Sequence, residues 1–319
     1  MFGKLPDLFD KNFAIGYFLP ITIFLVINLL LLNGFDLLSK VINLSQATQL
    51  DKLINVTIFG LLSWVISVLF LGANREILRL MEGYAQFNPV RIFAAIDKRR
   101  YHKLQKTKSE LNEKYKKLKD SGRDVPLELR NKRNKILRNL AERFPDDERW
   151  LLPTSFGNII RAFEVYPRVM YGLDSIPGWN RLIAIIPKDY NSIVNDAKSI
   201  VDFWANFWLL SWIVVFEYLA LAAYKKEAHI IWFPITVVVI SFFAYSRAKV
   251  AAFEWGELVK ASFDVFLPML YEKLGFPPPK NREEEKNLWR DFSQAMIYRI
   301  PEKIPERDKK TSSIPEKED

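Results

Sequence analysis

The chain has 319 residues, 50% of them hydrophobic, with 24 Phe, 9 Trp and a formal net charge of +9. Its mean hydropathy of −0.03 averages very apolar runs with a very charged middle. The absence of cysteine excludes disulfides, thiol catalysis and cysteine-held metals. The only histidines, His102 in a basic helix and His229 in a short loop, read as solvated and speak against a histidine metal site or a Ser-His-Asp triad.

The first span runs from about Phe13 to Leu32 and is too long for a signal-peptide core, with no small-residue cleavage site after it. Pro20 lies near its cytoplasmic end, where a kink is tolerable. Asn33-Gly34 ends it, and a loop follows to about Asp51. The second span, about Leu53 to Leu71, reads as one unbroken helix to Gly83, a C′ glycine. Gly60, Ser63, Ser67 and Asn74 share a sector of about 60°. Such a row marks either close helix packing or a pore-lining face.

After Asn88-Pro89, a helix from about Arg91 to Lys119 carries Tyr101, Leu104, Leu111, Tyr115 and Leu118 at heptad positions. Asp120 to Pro126 makes a turn, and a second helix carries Leu129, Ile136 and Leu140 before Phe144-Pro145. The pattern predicts a helical hairpin, an antiparallel coiled coil. Between Arg91 and Arg143 there are 18 Lys and Arg against 7 Asp and Glu, a net of +11, so the rest of the chain is acidic. Candidate polyanion contacts are Arg99, Arg100, Lys103, Lys114, Lys116, Lys117, Lys119, Lys132 and Arg133. This charge puts the segment between spans two and three in the cytoplasm, together with both termini.

Residues 153–190 mix Arg161, Glu164, Arg168, Asp174 and Arg181 with Tyr166, Tyr171 and Trp179. That mixture suits a packed, salt-bridged segment at a membrane interface or a ligand vestibule. Ser192 is expected to cap a long helix entering the third span, where Asp202, Asn206 and Glu217 form one polar stripe of roughly 60°. An embedded carboxylate needs a bundle interior, an aqueous cavity or a partner. For Glu217 the partners in reach are Lys225, Lys226 and Asn28. The fourth span, about Ile230 to Tyr245 with Pro234 in its first turn, continues as a cytoplasmic helix to about Tyr271. Gly275 to Pro279 breaks it, Asn281 caps a last helix to Arg299, and the tail beyond Ile300 is expected to be disordered.

These readings predict an all-α integral membrane protein with four transmembrane helices in two pairs and a helical cytoplasmic domain including the basic hairpin. Its parts are a cytoplasmic N-terminus (1–12), spans 1 and 2 with a helical extension (13–83) and a basic helical domain (84–200). Spans 3 and 4 (201–247), C-terminal cytoplasmic helices (248–299) and the tail (300–319) complete it. Tyr17 to Pro20, Gly157-Asn158 with Arg161 to Glu164, and Tyr171 to Asp174 with Trp179 and Arg181-Leu182 resemble a family of uncharacterised bacterial four-pass membrane proteins. Gly256 to Leu258 with Phe263-Asp264 belongs to the same resemblance, which implies a topology and no activity. The layout of two spans, a cytoplasmic block, two spans and a tail is similar to that of bestrophin-type anion channels.

The expected function is an oligomeric channel or pore for small ions with a basic cytoplasmic vestibule. Its candidate interior-facing residues are Gly60, Ser63, Ser67, Asn74, Asp202, Asn206 and Glu217. The alternative is a membrane-anchored scaffold or sensor whose hairpin binds anionic lipid or another polyanion. No catalytic motif, cofactor or metal is expected, because Asp146 to Glu148 and Glu283 to Glu285 read as helix-start acids. The expected setting is the inner (cytoplasmic) membrane. The expected partners are the bilayer, further copies of the chain and anionic lipid, with nucleic acid disfavoured for want of a reading motif.

Overall fold

In a computed structural model, residues 10–37, 48–84, 94–226 and 231–306 are described. Asn88-Pro89, Arg91, His229 and the tail beyond Glu306 lie outside them. The described residues contain helices and turns and no strand. Four helices are long and apolar enough to cross a membrane: α1 (Lys11–Gly34), α2 (Gln49–Gly72), α9 (Lys188–Lys225) and α10 (Trp232–Leu274). The protein is a multi-pass membrane protein by these helices.

Between them lie α3 (Asn74–Glu82), α4 (Ala94–Asp120), α5 (Leu127–Arg143), α6 (Ser155–Glu164), α7 (Tyr166–Tyr171) and α8 (Ser175–Leu182), and α11 (Arg282–Tyr298) follows α10. Short polar side chains set many of the starts. Thr48 and Asp51 form a capping box, Thr154 caps α6, and the Asn281 side chain accepts from the Glu283 and Glu284 amides. Gly83 and Gly275 close α3 and α10 in the left-handed region, at φ 94° and 74°.

Two boundaries depart from the sequence reading. The second span does not run unbroken to Gly83: Ala73, at φ −90° and ψ 3°, leaves helical geometry and separates α2 from α3, although its N–H still meets the Leu69 carbonyl at 2.9 Å. The third long helix starts at Lys188 rather than near Ser192. Pro187 lies just before it, and its carbonyl accepts the Asn191 amide at 3.0 Å. Beyond Ile300 the chain makes one 3₁₀ turn, Pro301–Lys303.

The chain divides into two compact units. The first comprises residues 1–86 and 195–252. Its core joins Leu31 of α1 and Phe35, just past its end, to Tyr218 of α9, and Val214 and Val215 to Val237 of α10. Helix α2 takes little part: Ser63 and Ser67 are buried, while Leu53, Val56, Leu61 and Leu69 are all more than 60% exposed. Apolar surface of that extent belongs in lipid or against another helix.

The second unit comprises residues 87–194 and 253–319. Helices α4 and α5 close on Tyr101, Leu140 and Phe144, flanked by Leu104 and Ile136. Ser155 at the start of α6 donates to the buried Asp97 carboxylate of α4 at 2.7 and 2.8 Å. Phe156, Leu182, Phe263, Leu267 and Trp289 are essentially inaccessible. Gly256 lets α10 approach α6, since a Cβ there would lie 2.4 Å from the Phe163 ring. Within residues 153–190, Arg161 pairs with Glu164 at 3.2 Å and Arg168 with Asp174 at 3.6 Å.

Candidate functional site

The first turns of α1 adopt π geometry from Ala14 to Phe18, a form that occurs as single-turn bulges often found at functional sites. Pro20 has no N–H to give the Gly16 carbonyl, four residues before it. The Asn206 side chain of α9 donates to that carbonyl instead, at 2.8 Å. Gly16 also admits α9 closely: a Cβ on it would lie 3.4 Å from Asp202 Cβ and from the Ser199 carbonyl.

Beside this contact sits a charged cluster centred on Asp202, which is 3% exposed. Tyr17 donates to its Oδ2 at 2.7 Å. Lys198, one turn earlier on α9, reaches Oδ2 at 2.7 Å and Oδ1 at 3.0 Å. Asn74, the first residue of α3, completes the network when its amide is oriented to satisfy its neighbours: the nitrogen then donates to Asp202 Oδ1 at 3.2 Å and the oxygen faces Tyr17 Oη and Lys198 Nζ at 2.9 Å each. One hydroxyl proton, one amide and one ammonium thus surround one carboxylate. A buried ion needs this degree of satisfaction, because desolvation otherwise exceeds the Coulombic gain. The cluster ties α1, α3 and α9 together, and the break at Ala73 sets Asn74 at the start of α3.

Of the interior-facing candidates, the structure brings together Asn74, Asp202 and, through Gly16, Asn206. Ser63 and Ser67 are buried, with hydroxyls directed to the Phe59 and Ser63 carbonyls of their own helix at 2.8 and 2.6 Å. A Cβ on Gly60 would meet nothing within 4 Å. Glu217 is half-buried beside the Asn28 side chain, and its Oε2 has no hydrogen-bond partner. Among the described residues no ion pair joins it to Lys225 or Lys226. The sequence reading missed Tyr17 and Lys198. The signal for Lys198 was its i,i+4 spacing to Asp202; for Tyr17 there was none, as its partner lies 185 residues away.

The hairpin candidates separate into two sets. Arg99, Arg100, Lys103, Lys114, Lys116, Lys117, Lys119 and Lys132 are exposed. Arg133 is half-buried, donates to Asn112 Oδ1 at 2.7 Å and lies 4.7 Å over the Tyr115 ring, so it holds α5 to α4. Lys117 pairs with Glu113 at 2.6 Å, and its hydrogen bond holds the Glu113 carboxyl below its usual range. His102 is exposed, as read, with Nε2 3.3 Å from Glu148.

In the second unit, Asp264 accepts from Tyr166 at 2.9 and 3.1 Å and from Tyr171 at 2.6 Å. Burial first, then the bond to Asp264, pushes the Tyr171 phenol up to about 12. Among the described residues no group of His, Asp and Glu side chains is placed to hold a metal ion.

Comparison with family models, curated proteins and solved structures finds no match to the chain. The resemblance to four-pass bacterial membrane proteins therefore stands on its motif residues alone.

Proposed function

We propose that the protein is a non-enzymatic, membrane-anchored scaffold or sensor whose α4–α5 hairpin binds anionic lipid headgroups at the cytoplasmic face of the inner membrane. The observation that carries this reading is the condition of the hairpin's cations. Eight of the nine candidates are exposed, and among the described residues only Lys117 of those eight has an acidic partner within 4 Å. Each basic residue near an anionic leaflet contributes about 1 kcal/mol of attraction. The Tyr101, Leu140 and Phe144 cluster and the Arg133–Asn112 bond give these charges a folded support.

The test uses the full chain in nanodiscs with and without phosphatidylserine, with acetylation of Lys114, Lys116, Lys117 and Lys119 followed by mass spectrometry. Protection is expected in the anionic discs and should disappear at high salt, where screening is complete within a few ångströms. Equal labelling in both discs refutes the reading.

A second reading, a homo-oligomeric channel passing small ions, is supported by α2. Its apolar face is bare in a single copy, and the open flank of Gly60 leaves room for another chain. The burial of Ser63, Ser67, Asp202 and Asn206 within one copy favours the anchored reading over a conduit lined by those residues. A monomeric mass in nanodiscs removes the channel from consideration.

A further inference from the structure

Helix α11 carries Arg282, Lys286 and Arg290 at i, i+4 and i+8, so the three cations stack along one stripe. Like charges at this spacing repel by a few tenths of a kcal/mol per pair, and a helix gains nothing by the arrangement. Along the stripe runs an open cleft of about 500 Å³, lined by these three residues, Glu283, Asn287 and Met170 of α7. A space of that size accommodates a small ligand.

Two features hold the cleft in place. Gly172, at φ +83°, ends α7 against α11 so closely that a Cβ would lie 2.4 Å from the Lys286 carbonyl. Arg282 is anchored by Glu285 at 2.8 Å and lies 5.2 Å over the Tyr171 ring, whose hydroxyl Asp264 holds. The other two cations are unoccupied: among the described residues no acid lies within ion-pair distance of Lys286 or Arg290. The amides of the first turn are already capped by Asn281, so the stripe is distinct from the helix terminus.

We propose that this cleft is a binding site for a phosphate monoester. Arg282 is compensated by Glu285, so the charge left for a ligand is that of Lys286 and Arg290, two cations to meet a phosphate dianion, with Glu283 as the one opposing carboxylate of the lining. The guanidinium of Arg290 can grip two phosphate oxygens, Lys286 supplies a point charge, and the Asn287 amide donates to a third oxygen. The monoester is either a free phosphorylated metabolite or the headgroup of a lipid such as phosphatidic acid. This site shares no residue with the hairpin and does not depend on it.

Met170 offers a local reporter, one of only five methionines in the chain. The full chain, labelled with ¹³C at the methionine methyls, is titrated in phosphatidylcholine nanodiscs with glycerol phosphate at constant ionic strength. A second arm replaces part of the phosphatidylcholine by phosphatidic acid. A saturable shift of the Met170 methyl with glycerol phosphate identifies a free monoester as ligand; a shift with phosphatidic acid alone identifies the headgroup. Lys286→Gln and Arg290→Gln should each weaken the effect about tenfold, as loss of one charge-assisted contact does. Glu283→Gln should tighten it about threefold, and neutralising Lys114, Lys116, Lys117 and Lys119 should leave it unchanged. No Met170 shift in either arm, a shift reproduced by chloride, or one abolished by the hairpin variant overturns the proposal.

Discussion

Asp202 and Lys198 in the first unit and Lys116 and Lys119 on the hairpin are all ionisable side chains, but their surroundings differ. The Asp202 carboxylate is withdrawn from solvent and meets an ammonium, a phenol and an amide within 3.2 Å. Lys116 and Lys119 stand in solvent on α4. A buried charge is tolerated only when its neighbours replace its hydration, so it acts as structure. An exposed charge keeps its water and remains free to meet an outside partner, which is why the hairpin, and not the Asp202 cluster, carries the proposed recognition.

The largest effect that sharpens this contrast is expected at Asp202. Asp202→Ala strands Lys198 and Tyr17, and the apparent stability in detergent should fall by about 3 kcal/mol, the lower end for breaking a buried pair, because part of Lys198 reaches solvent. Removing both charges, Asp202→Asn with Lys198→Met, should recover more than half of that loss. A double variant as unstable as the single one would break the comparison.

On the hairpin, Arg133→Gln should lower the melting stability by about 1–2 kcal/mol through loss of the Asn112 bond and the Tyr115 contact. The adjacent Lys132→Gln should change it by less than about 0.5 kcal/mol. Equal effects of the two, read by circular dichroism, would mean that Arg133 is only a surface charge.

Asp264 is an intermediate case, an exposed carboxylate held by two phenols. Tyr171 has a folded-state value of about 12, above the unfolded value of about 10. The unfolded chain therefore releases this proton first, and the stabilisation is complete below pH about 10 and lost as pH rises toward about 12. Melting temperatures across that window should fall less steeply in Tyr171→Phe than in the parent chain. An unchanged slope would separate the Tyr171–Asp264 bond from alkaline unfolding.

Much of the helical layout was legible in the residues. The four long helices follow from apolar runs, and Thr154, Asn281, Gly83 and Gly275 stand at boundaries where side-chain caps or a positive φ are needed. The break at Ala73 was only faintly legible: Gly72 and Asn74 are weak helix formers, but alanine between them favours helix and a lone glycine is tolerated inside many helices. Of the candidate site, Asp202, Asn206 and Asn74 were visible as polar residues in or beside apolar runs. Tyr17 was not, because an aromatic residue in an apolar helix looks the same whether or not its hydroxyl has a partner.

The sequence by itself determined which segments are apolar enough to span, where most helices end and where the positive charge concentrates. These depend on residues within a few positions of each other. It also contained, in Pro20, the cause of an unfilled Gly16 carbonyl. Only the tertiary structure decided that Asn206 fills it, that Tyr17 and Asn74 meet Asp202, and that Arg133 turns inward while its neighbours stay in water. Those outcomes depend on side chains of different helices coming within hydrogen-bonding distance, where desolvation selects the partners.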